Sequence, residues 1–331
     1  MNVRHTDRFQ EAKRWRSPVS RIAPVMAGIA LVVGTLALLG GSGSAAVLMA
    51  GPAGGPRGAR GIQVGAASHP RLARGVFGTI EQTNNWSGYQ ASSLLPGSFH
   101  QISASWVVPS VSQAVRGQAE DSATWVGIGG GCVEPIDLVV VSTCAVDQTL
   151  IQAGSEQDVS ASGQASYGVW YEFLPEPETS LPLSVAPGDV VSVDITEGLP
   201  ASWSISITVK SPGGGTIGSD TIPVTYPALG LTAEWIEESP LVISTSGSGI
   251  SSLPLLNGGS PVAFSQARLN GANEALAGTT EVQLVDSSGD VVLSPSAPDS
   301  DNDAFNDCED LSSQSTSRFS CPAPASSSDQ S

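Results

Sequence analysis

The chain has 331 residues, a formal net charge of −17 and a mean hydropathy of +0.07, with 14 Lys and Arg against 31 Asp and Glu. So few cations cannot neutralise a row of phosphates, which argues against nucleic acid as a partner. His100 is the one histidine after residue 75, and neither a G-x-S-x-G turn nor a C-x-x-C pair occurs, which argues against a Ser-His-Asp hydrolase and a zinc site.

Arg4, Arg8, Lys13, Arg14, Arg16 and Arg21 precede an uncharged stretch from Ile22 to Pro56. Residues 1–50 therefore read as an export signal or an N-terminal membrane anchor, and either places the remainder outside the cell. Residues 51–75 read as a basic prosegment or linker, carrying Arg57, Arg60, His69, Arg71 and Arg74 without an acidic residue. From Val76 on, Arg116, Lys210, Arg268 and Arg318 face 29 carboxylates, the 31 of the whole chain less Asp7 and Glu11. Such a body gains little positive charge in acid, which favours function at low pH. The arginines of 51–75 are suited to pair with its carboxylates near neutrality and let go when those protonate.

The body, 76–310, reads as strands and turns. Ile102, Ala104, Trp106 and Val108 alternate with mostly polar neighbours up to Pro109, as Val191, Val193 and Ile195 do with Ser192, Asp194 and Thr196. Trp203 to Val209 keeps its odd positions apolar and ends at Pro212-Gly213-Gly214-Gly215. The runs 281–285 and 291–293 flank Asp286-Ser287-Ser288-Gly289-Asp290 and predict a hairpin. No segment sustains a helical period over three turns, so the expected fold is an all-β sandwich of two large antiparallel sheets.

Cys132 with Cys144 and Cys308 with Cys321 are spaced for two short disulfide loops in an oxidising compartment, although four cysteines permit three pairings. Asp299, Asp301, Asp303, Asp307 and Asp310 mimic a calcium loop, but Ala304 stands where its turn needs glycine, so no metal or other cofactor is expected. A poorly formed last strand around Phe305, stapled by a disulfide, is expected there, followed by a low-complexity tail over 311–331.

The stretch Leu231-Thr232-Ala233-Glu234-Trp235-Ile236-Glu237-Glu238 is the most informative. As a strand it puts Thr232, Glu234 and Ile236 on one face and Ala233, Trp235 and Glu237 on the other. A carboxyl group on an apolar-flanked face is kept from ionising by burial, which prepares it for proton transfer.

Four stretches in order complete the pattern: Asn85-Trp86-Ser87-Gly88 on the first strand; Thr124-Trp125-Val126-Gly127-Ile128; Ile151-Gln152-Ala153-Gly154 with Tyr167-Gly168-Val169-Trp170-Tyr171-Glu172-Phe173; and Ala233-Glu234-Trp235-Ile236. Across roughly 84–292 they resemble the glutamic peptidases, the eqolisin family of acid-acting secreted endopeptidases. The resemblance implies a sandwich with a concave substrate-binding face and a removable prosegment, here 51 to about 75. It matches Gln152 and Glu234 to the catalytic glutamine and glutamate, and Trp125, Trp170 and Glu172 to residues that line and support the site. A carboxylate base and an uncharged amide donor suit amide hydrolysis in acid. Gly129 stands where the family commonly has an acidic residue, Gly168 where fungal members often do, and Val139-Val140-Val141 makes the segment between Cys132 and Cys144 unusually apolar.

Two other functions fit parts of the pattern. A sandwich glycosidase would pair Glu172 with Glu234 and not need Gln152. A non-catalytic carbohydrate-binding or adhesion module would expose Trp86, Trp106 or Trp125 for stacking. The peptidase reading expects a secreted monomer whose partners are polypeptide substrates and whose only membrane contact is a possible N-terminal anchor.

Overall fold

The computed structural model describes residues 61–63, 70–74, 79–133, 145–244, 247–257, 261–273, 275–309 and 321–324. The export segment 1–50, Cys144 and most of the tail lie outside the described residues, among which no α-helix occurs. One continuous, largely antiparallel hydrogen-bonded path of strands folds into two facing layers. The first layer runs Ala165–Phe173, Leu150–Val159, Glu120–Gly129, Thr232–Glu238, Trp86–Ser92 and Thr280–Val285. The path continues through Val291–Pro295 and Phe305–Glu309 into the second layer, Val262–Leu269, Gln101–Val107, Val190–Leu199, Ser202–Lys210 and Thr216–Thr225.

Sequence alternation sets the second layer. Along Ser202–Lys210, Trp203, Ile205, Ile207 and Val209 are buried while Ser204, Ser206 and Thr208 are half-buried, because successive strand residues point to opposite faces. The inner face packs with Val126, Ile128, Ile151, Ala153, Ala233 and Trp235 of the first layer in one apolar core. The first layer is different: every residue of Glu120–Gly129 and of Thr232–Glu238 is buried. Its outer face carries a second cluster, Trp86, Ala123, Trp125, Leu150, Trp170, Ile236 and Val282.

Trp235 fixes which way the Glu234 strand faces. Its ring lies in the inter-layer core and its Nε1 donates to the Ser103 carbonyl of the opposite layer at 3.1 Å. Glu234, one residue away, is therefore turned to the outer face, and a slip of one residue would bury it against the core instead.

Two sequence expectations change. The Trp86 strand is not the first, because Gly61–Gln63 pairs with Leu241–Ser244, and Arg71–Arg74 pairs with Thr79–Thr83, which in turn pairs with Thr280–Val285. Two strands of the basic segment 51–75 thus join sheets of the body. The last strand, Phe305–Glu309, is well formed, paired on one side with Val291–Pro295 and on the other with Val262–Leu269. It lacks apolar alternation because Asp307 points inward, where Ser87 Oγ donates to its Oδ1 at 2.9 Å, while Phe305 stacks on Phe264 with ring centroids 4.6 Å apart. Asp299, in the acidic run before this strand, closes a turn: its Oδ1 accepts the Asp303 and Ala304 peptide N–H groups at 3.1 and 3.3 Å. The hairpin over 281–293 forms as expected. Cys308 and Cys321 are joined, and Cys132 is disulfide-bonded.

Candidate active site

Strand register assembles the site. Glu172 stands opposite Gln152, Gln152 opposite Gly127, Gly127 opposite Glu234, and Glu234 opposite Gln90. Directly opposed residues share a face, so these five form one row across five strands on the outer face of the first layer. Gly127 is the notch in the row. Gln152 and Glu234 lie two strand spacings apart, about 9.5 Å between backbones, with no side chain between them. A Cβ at Gly127 would come within 2.9 Å of the Trp125 ring and 3.1 Å of Gln152 Cβ and Leu150 Cδ1.

The next row along the strands runs Trp170, Gly154, Trp125 and Ile236. Trp125 occupies the space a side chain at Gly154 would need, and its indole is held twice. Trp125 Nε1 donates to Glu238 Oε2 at 3.0 Å, and its ring meets Trp86 edge to face at 5.0 Å. Asn85 Nδ2 donates to the other Glu238 oxygen at 3.2 Å. Trp170 is fully buried, and among the described residues its Nε1 has no hydrogen-bond acceptor. Trp86, Trp106 and Trp125 are all 0 % exposed, so the stacking-platform alternative has no platform. They are large apolar groups between or against sheets, where burial gains most.

Gln152 Nε2 donates to Glu172 Oε2 at 2.7 Å, both side chains being fully buried. Burial raises the Glu172 carboxyl to about 8, against the opposing pull of the Gln152 amide and the Glu178 peptide N–H. Glu234 is pushed well above the ordinary glutamate range, first by burial and then by the charges of Asp147 and Glu81. The Thr232 hydroxyl lies near enough to favour the charged form, but among the described residues neither Glu234 oxygen has a hydrogen-bond partner of good geometry. Desolvation thus favours the protonated form of Glu234, and water reaching it restores its acidity.

Gly129 and Gly168, the departures from the family pattern, have local causes. Gly129 has φ +97°, and a Cβ there would strike the Thr149 carbonyl oxygen. At Gly168 the space is taken by Glu156 Oε1 from the neighbouring strand. Sequence reasoning brought together Gln152, Glu234, Trp125, Trp170 and Glu172, and the structure places all five on one face. It missed Gln90 and Glu81, which have no motif of their own; alternation along 86–92, which puts Gln90 on the Trp86 face, was the available signal.

Fold and site define a β-sandwich peptidase in which buried carboxyl and carboxamide groups line one sheet face. The chain belongs to the Peptidase A4 family, whose model matches residues 84–304. It is a glutamic endopeptidase. The crystal structure of scytalido-glutamic peptidase with a transition state analog inhibitor is similar at TM-score 0.50 and 19% identity, covering 68% of this chain and 98% of that one. SCP-B, a member of the eqolisin family in complex with the tripeptide Ala-Ile-His, is also similar, at TM-score 0.48 and 18% identity over the same shares. No curated protein sequence matches the chain. Membership in a peptidase family overturns the glycosidase and binding-module alternatives.

Proposed function

We propose that Glu234 and Gln152 carry out peptide-bond hydrolysis in acid, acting outside the cell on unfolded or extended polypeptide. The observation that carries this reading is the register: both residues stand opposite Gly127, from its two sides, on one buried face. A substrate carbonyl over the notch would meet a carboxyl group on one side and a carboxamide on the other. Ionised Glu234 takes a proton from water, and the oxygen adds to the carbonyl carbon. The Gln152 amide stabilises the resulting oxyanion. When the carbon–nitrogen bond breaks, protonated Glu234 returns its proton to the leaving amine, so the enzyme ends as it began.

Glu172 accepts one hydrogen of the Gln152 amide and so orients the other end of that side chain. Trp125 and Trp170 wall the site and exclude water. Substrate entry must bring water to Glu234, because burial favours the protonated carboxyl group, which must lose its own proton before it can take one from water. No metal or cofactor takes part in these steps.

Residues 1–50 direct export or anchor the chain, and 51–75 act as a prosegment whose arginines pair with the acidic body until its carboxylates protonate. N-terminal mass measurement of the protein recovered outside the cell would show whether 1–50 and 51–75 are removed. Hydrolysis of an acid-denatured protein at pH 2 to 6 tests the catalytic pair. Loss of cleavage in both Glu234→Gln and Gln152→Ala supports it; cleavage by a folded Glu234→Gln variant at the wild-type rate would sink it.

A further inference from the structure

Glu234 has a neighbour that the reaction above leaves unused. Gln90 is fully buried and directly opposite Glu234, so the two side chains leave adjacent strands on the same face. Its amide turns to the turn that follows the Gly127 strand. Gln90 Nε2 donates to the Cys132 carbonyl at 2.7 Å, and Gln90 Oε1 accepts the Cys132 peptide N–H at 2.9 Å. A carbonyl requires a donor and an N–H an acceptor, so this pairing also fixes which end of the amide is which.

The two-point grip sets the residue before Cys132. A Cβ on Gly131 would strike Gln90 Oε1 and lie 2.6 Å from Glu234 Oε1, so the Gly131 backbone rests against the Glu234 carboxyl group. Three further bonds brace the turn: Gly131 N–H to Thr232 Oγ1 at 3.2 Å, Gly130 N–H to the Asp147 carbonyl at 3.1 Å, and Asp147 N–H to the Gly131 carbonyl at 2.9 Å. None of these bonds ends on a Glu234 oxygen. The turn thus covers the carboxyl group without satisfying it, which is the arrangement that keeps a carboxyl dry.

We propose that Gln90 is a positioning residue that, through its grip on the Cys132 peptide, presses the Gly130–Cys132 turn onto the Glu234 carboxyl group and keeps water from it until substrate enters. The inference rests on the reading of Glu234 as the general base. The titratable groups facing Glu234 are Glu81, from the Thr79–Thr83 strand, and Asp147, before the Leu150–Val159 strand. The other strands beside it present Gln90, Gly127 and Gln152. The Asp147 backbone braces the turn, but its carboxylate is held apart from it by the Thr149 and Leu231 peptide N–H groups at 2.9 and 3.2 Å, so releasing the turn acts first on hydration.

The test is the pH profile of kcat/KM for wild type, Gln90→Leu, Gly131→Ala and Glu234→Gln, beside the carbon-13 carboxyl titration of Glu234 assigned by difference from Glu234→Gln. Gln90→Leu removes the grip, and Gly131→Ala, whose methyl group would strike Gln90 Oε1, forces the turn away without changing residue 90. Should Gln90→Leu not fold, Gln90→Asn, too short to hold both Cys132 atoms, takes its place. Letting water in should move the acid limb of kcat/KM and the Glu234 titration together to lower pH, by about one unit. A fall in kcat with both midpoints unmoved overturns the proposal. Wild-type activity in Glu234→Gln would instead end the general-base reading, while the carboxyl titration still decides whether Gln90 and the turn control hydration of Glu234.

Discussion

Gln152 and Glu234 stand opposite the same residue, Gly127, from its two sides, so that one glycine separates a carboxamide from a carboxyl group across three strands. The spacing of the pair is a property of sheet geometry, set by interstrand distance and by the absence of a side chain at 127.

Gly127→Ala should therefore damage activity far more than stability. The added methyl group meets the Trp125 ring at 2.9 Å and Gln152 Cβ and Leu150 Cδ1 at 3.1 Å, so the neighbouring side chains, Gln152 among them, must shift. Overpacking of this kind costs about 1–3 kcal/mol, whereas displacing Gln152 disturbs the group proposed to hold the oxyanion. Thermal unfolding and kcat/KM measured on one preparation would show a folded protein with at least tenfold lower kcat/KM, on the order expected when positioning is lost. Unchanged kcat/KM would mean that the notch has no part in positioning.

Gln152→Ala should lower kcat by roughly 10²–10³, the usual effect of removing one oxyanion donor, with a small change in KM. Glu172→Gln tests orientation. A carboxamide at 172 keeps one carbonyl acceptor for Gln152 Nε2 but replaces the other carboxyl oxygen with a donor, so kcat should fall less than in Gln152→Ala. An equal or larger fall would make Glu172 more than a support.

Stability should rise as the solution becomes more acid. Glu172 is raised from 4.5 to about 8, and Glu234 and Asp307 are raised well above their ordinary values. In each case the folded protein holds a proton that the unfolded chain releases at lower pH. Their contribution is complete below the unfolded value near 4.5 and is lost as pH climbs toward 8 and beyond. For Glu172 alone the difference is on the order of 4 kcal/mol. Denaturant unfolding at pH 4 and at pH 8 measures it, and Glu172→Gln with Asp307→Asn should flatten the dependence. A midpoint that is higher at pH 8 than at pH 4 would contradict it.

The Cys308–Cys321 bridge closes a loop of 13 residues onto the inward-facing Phe305–Glu309 strand. Replacing both cysteines with serine should cost about 3 kcal/mol, as expected for a loop of this length. The loss should appear as a lower unfolding midpoint, and activity per folded molecule should stay within twofold.

Local pattern alone determined much of this protein. Period-two alternation around Trp203–Val209 and Ala233–Trp235 identified strands and put Glu234 on the face away from Trp235. The ordered motifs identified the family and singled out Gln152 and Glu172 as candidates. Alternation, however, is set within a strand, whereas register is set between strands far apart in sequence. Only the tertiary structure placed Gln90 opposite Glu234, made Gly127 the notch between two polar side chains, turned Asp307 inward to Ser87 and sent the buried tryptophans to opposite faces of one layer. These relationships depend on which residues come to lie side by side when the sheet closes, and that is decided by packing of the whole sandwich.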